Sequence, residues 1–112
     1  MAPPTPLSVA TNSINRLLKE ESSYRTELAT QQRRVEQLQA GGADEDDAGN
    51  TEFRLRQEER AVEETKAVFG PLRERIAWAV EKLEGVLASG MAAGGPEVDA
   101  ANDALVRAKA TS

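Results

Sequence analysis

Leu55, Val62, Phe69, Ile76 and Leu83 stand one heptad apart, and Pro71 sits inside the run. A repeat of seven keeps one stripe of a helix facing neighbouring helices. The stripe therefore commits the second half of the chain to a helix buried along one seam. Proline removes a backbone donor and crowds the preceding turn, so Pro71 is expected to bend or interrupt that helix at a fixed place.

The first half repeats the pattern. One seam position holds Leu7, Ile14, Glu21, Leu28 and Val35; the other holds Ala10, Leu17, Tyr24, Gln31 and Leu38. Eight of these ten are apolar or aromatic, which predicts a helix over about 6–40, roughly 50 Å long. Thr5-Pro6 supplies an N-cap and a first-turn proline. Gly41-Gly42 supplies a stop. Residues 43–50 form an acidic connection, and Asn50 or Thr51 can cap a second helix over about 51–88 running back against the first.

In that second helix the other seam position holds Glu58, Thr65, Leu72, Ala79 and Val86. The stripe is narrow before Pro71. It widens afterwards, where Val80 and Leu87 join it, and a wider stripe implies two neighbours rather than one. The extra neighbour is a helix over about 96–110, opened by Pro96 and carrying Val98, Ala101, Leu105 and Ala108 on one face. The expected fold is all-α: an elongated antiparallel three-helix bundle with a coiled-coil-like seam, its second helix kinked near Pro71. Residues 1–5 are expected to be a disordered leader, and 6–110 the bundle. The end near the acidic connection has two helices and should fray first.

Composition narrows the function. With 4% aromatic residues and a mean hydropathy of -0.53, a thick core is not expected. Four of the charges behind the net -5 lie in Asp44-Glu45-Asp46-Asp47, so the remaining surface is nearly balanced. Such a surface does not suit a nucleic-acid backbone. The chain has no Cys and no His, which removes disulfides, thiolate or imidazole metal sites and His-dependent nucleophiles. No run reaches the ~18 apolar residues of a membrane span. The start, Met1-Ala2-Pro3-Pro4, lacks the basic and apolar regions of a secretory signal. A cytoplasmic protein is expected.

Individual residues offer little chemistry. The pairs Glu58-Glu59 and Glu63-Glu64 read as solvated faces, since a narrow seam provides no pocket to desolvate a catalytic acid. The Asp44–Asp47 run lacks the alternation and the distant bidentate Glu of a calcium loop. Tyr24 falls in the seam and is read as core. Trp78 lies about 200° from the ladder. It is read as half covered by the third helix, the other reading being an exposed partner anchor. No cofactor, no metal and no enzyme activity are expected.

The stretch Arg16-Leu17-Leu18-Lys19-Glu20, followed by Tyr24, Gln31-Gln32 and Val35-Glu36-Gln37-Leu38, resembles the first helix of the tubulin-binding cofactor A family. The resemblance runs on through a short acidic loop, a second helix with a central proline and the segment Ile76 to Leu87. It covers roughly Ser8 to Leu87, while Gly90 to Ser112 matches weakly. It implies a cytoplasmic, cytoskeleton-associated chaperone. Such a protein captures β-tubulin, holds it in a near-native state without catalysis, and passes it to other tubulin-folding cofactors that build the αβ heterodimer. A monomer or weak homodimer is implied.

Because the apolar seam is occupied, the partner contact is expected on outward polar side chains. These are Arg16, Lys19, Glu20, Gln32 and Glu36 on the first helix, with Arg73 and Arg75 on the second. The rival reading of the same pattern is a generic coiled-coil scaffold or dimerisation module.

Overall fold

The computed structural model of the chain describes residues 4–41, 48–90 and 95–111. It contains three helices, α1 (Pro6–Gln39), α2 (Ala48–Ala88) and α3 (Pro96–Thr111), and no strand among the described residues. The run Asp44–Asp47 lies outside them.

The helix ends follow from local chemistry. Thr5 caps α1: its Oγ1 accepts a hydrogen bond from the Ser8 amide at 3.0 Å, and Pro6 takes the first helical position, where a missing amide costs nothing. Gly41 ends α1 with a φ of 76°, a conformation that a Cβ would penalise. At the end of α2, the Ser89 amide bonds the Gly85 carbonyl at 3.0 Å and its hydroxyl bonds that of Val86 at 2.7 Å. In α3, Glu97 and Asp99 lie in the first turn and Lys109 in the last, the arrangement that complements the helix dipole.

One boundary differs from the sequence-based expectation. The second helix begins at Ala48, so Ala48, Gly49 and Asn50 are helical rather than part of the connection. Extending an existing end adds backbone hydrogen bonds without a nucleation cost, which offsets their poor propensity. Pro71 lies inside α2 without interrupting it, which leaves the bend of the two expected outcomes. The residue before it is Gly70, which has no side chain for the proline ring to meet.

The chain divides into two units, and the division in α2 falls between Gly70 and Pro71. The first unit combines α1 up to Glu21, α2 from Pro71, and α3. It is a three-helix bundle. Two hydrogen bonds set α3 parallel to α1: Thr5 Oγ1 donates to Glu97 Oε2 at 3.0 Å, and Arg107 Nη2 donates to Asn15 Oδ1 at 2.6 Å. Leu7, Ile14, Leu72 and Leu83 are almost wholly buried there. On α3 the buried face is Ala101, Ala104, Leu105 and Ala108. Three alanines in four positions let that backbone approach its neighbours closely.

The second unit, Ser22–Gly70, is the pair formed by the rest of α1 and α2. With no third helix, its seam is thinner. Val62 and Phe69 are buried, but so are Thr65 and Gln31, and Leu28, Val35, Leu38 and Leu55 remain half-exposed. The buried Gln31 amide donates weakly to Glu27 at 3.4 Å, while its Oε1 has no hydrogen-bond partner. Arg34 and Glu58 pair across the two helices at 3.7 Å.

The ladder rungs are therefore unequal. Leu83→Ala is expected to cost about 2–5 kcal/mol of unfolding free energy in a denaturant titration, the usual range for a buried leucine, and Leu55→Ala less than half as much. Gln31→Leu should raise the denaturation midpoint, because it removes a buried acceptor worth about 1–3 kcal/mol when unsatisfied. A lowered midpoint would show that the amide is satisfied after all.

Candidate partner-binding surfaces

In the three-helix unit, α1 and α2 leave a groove of about 590 Å³ between them. Its α2 wall is Arg75, Trp78, Ala79, Lys82 and Val86, residues that recur every three or four positions and so share one helix face. The α1 wall includes Val9, Ala10, Ser13, Arg16 and Leu17, with the same periodicity. No α3 residue lines it.

Trp78 is 68% exposed. The expectation that the third helix covers it is not met, and the reason is geometric. The alanine face of α3 docks on the seam, whereas Trp78 stands on the α2 face that looks into the α1–α2 groove. Lys82 lies over its ring, with Nζ 5.6 Å from the centroid, one turn further along the helix. Val9 is also about half-exposed. The groove thus combines an apolar floor with three cations: Arg16, Arg75 and Lys82.

A second depression, about 480 Å³, lies in the two-helix unit. Gln32 and Glu36 of α1 face Glu59, Glu63 and Lys66 of α2 across Val35 and Val62. Lys66 and Glu63 pair at 3.7 Å. Its walls are polar and of mixed sign.

The seven residues expected on the contact surface are all exposed, but they do not form one site. Arg16 and Arg75 come together on the first groove, and Gln32 and Glu36 on the second. Lys19, Glu20 and Arg73 line neither. Arg73 and Arg75 stand two residues apart, about 200° around the helix, which is why only Arg75 reaches the groove. Sequence reasoning missed the apolar groove because it assigned Ala10, Leu17, Ala79 and Val86 to a closed seam and expected the third helix to half-cover Trp78. The signal left unread was that Arg75 and Lys82 share one helix face with Trp78, outside the heptad positions.

Among the described residues there is no group of carboxylates placed to hold a metal ion, and no helix is long and apolar enough to cross a membrane.

Residues 2–105 match the sequence model of the family described as tubulin binding cofactor A. The chain belongs to that family. The tubulin folding cofactor A of Arabidopsis thaliana, known from a crystal structure, has the same fold: its TM-score is 0.78 over 93% of this chain and 92% of that one, at 23% identity. The comparison with curated proteins finds no match. The family match spans all of α1 and α2 and α3 as far as residue 105, including most of the C-terminal segment that the sequence resemblance covered weakly.

Trp78 is the chain's single tryptophan, so its environment can be read directly. Its fluorescence is expected to be that of a water-exposed indole, freely quenched by acrylamide. Strong protection from quencher in the isolated protein would place the ring under a neighbouring element instead.

Proposed function

We propose that this chain is a tubulin-folding cofactor: a non-catalytic cytoplasmic protein that captures β-tubulin folding intermediates and holds them for assembly of the αβ heterodimer, alongside other tubulin-folding cofactors. The observation that carries this reading is the family match over nearly the whole chain. The shared fold supports it.

Capture by such a bundle uses the outside of its helices, since the buried seam is committed to holding them together. Arg16 and Arg75 at the first groove, Gln32 and Glu36 at the second, and the exposed Lys19, Glu20 and Arg73 are the proposed contact residues. None of the seven is buried. Each can therefore be replaced with little effect on folding, and any loss of capture reads as lost contact.

A pull-down from cytosol with the intact chain, probed separately for β- and α-tubulin, tests the proposal. Selective recovery of β-tubulin is expected, and equal recovery of both subunits, or of neither, would overturn it. In a second arm, Asp44, Asp46 and Asp47 are changed to Asn and Glu45 to Ser. Capture should persist at close to the parent level if the helical faces are the binding surface. Its loss would move the contact to the acidic run.

A further inference from the structure

The groove on the three-helix unit is open, apolar and cationic in a chain whose net charge is -5. Its lining contains Arg16, Arg75 and Lys82 but no carboxylate. Neither Arg16 nor Arg75 forms a hydrogen bond or ion pair among the described residues, and Lys82 rests on the exposed face of Trp78. Glu20, one turn beyond Arg16, is the next acidic residue along that face of α1. Three cations with this little internal compensation raise the positive potential over an apolar floor. Between Pro6 and Leu17 the α1 wall runs about 17 Å, or three helical turns.

We infer that this groove is a docking site for an acidic amphipathic helix of a partner protein, which would occupy a fourth-helix position against α1 and α2. Apolar side chains at i, i+3 or i+4 and i+7 would pack on Val9, Leu17, Ala79 and Val86, as in other helix-in-groove contacts. Trp78 would act as the central anchor, the kind of residue that dominates such interfaces. Carboxylates flanking that apolar stripe would meet Arg16 and Arg75 at one end and Lys82 further along. Arginine suits this role because its planar fork binds a carboxylate bidentately. The inference concerns the chemistry of the occupant and does not depend on β-tubulin being its source.

The probes are two stapled helical peptides of about 14 residues, nearly four turns. They share the same leucine stripe and carry glutamates in one case and lysines in the other. Each is titrated into the full chain while Trp78 fluorescence is followed. The acidic peptide is expected to bind saturably, shift the emission to the blue, and weaken as salt screens the rim. The basic peptide should bind at least about tenfold more weakly. In the double variant Arg16→Glu/Arg75→Glu this preference should reverse. The milder Arg16→Gln/Arg75→Gln pair, with an unchanged helical circular dichroism signal, should still lose acidic-peptide affinity.

Equal binding of the two peptides, no binding of the acidic one, or undiminished affinity in the folded glutamine variant would overturn the inference. So would an emission shift driven by protein concentration alone, which would assign the groove to a second copy. A shift produced by phosphatidylserine vesicles but not by the acidic peptide would assign it to a lipid surface. Failure of the β-tubulin pull-down leaves these outcomes unaffected, so the two proposals fail separately.

Discussion

The structure depends on how closely α3 can approach the other two helices. Its buried face is almost all alanine, which permits close approach, and Ile14 and Leu83 in the same unit are sealed from solvent. Where that third layer is present, leucines and isoleucine are buried and worth a few kcal/mol each. Where it is absent, the same heptad seam carries Gln31 and Thr65 and leaves its leucines half-wet. The seam repeat is shared by both units; the degree of burial is not. The difference in burial follows from the layer count together with the polar seam residues Gln31, Glu58 and Thr65 of the two-helix unit.

That docking also decides what stays open. A small helix that packs on the seam covers the seam and little else. The α1–α2 groove on the remaining face keeps its apolar floor and its cations. A helix with bulkier residues at its buried positions would stand further off and close the seam less well. Using alanines secures the core while leaving Trp78 exposed.

Much of this architecture was legible in the heptads. They gave the three helices, their approximate ends and the widening of the stripe after Pro71. The unit boundary in α2 falls at that same residue. Less legible were features that depend on where one face looks. The start of α2 at Ala48 is a matter of helix-end energetics in residues with poor propensity. Arg73 and Arg75 look like a pair in sequence and point apart in space. Trp78 had two readings because its angle from the ladder says which side of α2 it occupies, but not which side the third helix takes. A heptad pattern counts Ala10, Leu17, Ala79 and Val86 as seam and does not mark that, beside Val9 and Trp78, they also line an open groove.

The hydrogen bond from Thr5 to Glu97 spans 92 positions of chain. The three-helix unit is assembled from two separated stretches of the sequence, whereas the two-helix unit is one continuous stretch between them. During synthesis, the hairpin can therefore form while the protein is still emerging. The three-helix unit has to wait until α3 has been made, and the surface that α3 covers stays open until then. Non-local closure of this kind is the slower step in folding. A folding cofactor built this way presents its own nascent chain with the exposure problem that it is proposed to relieve in its client.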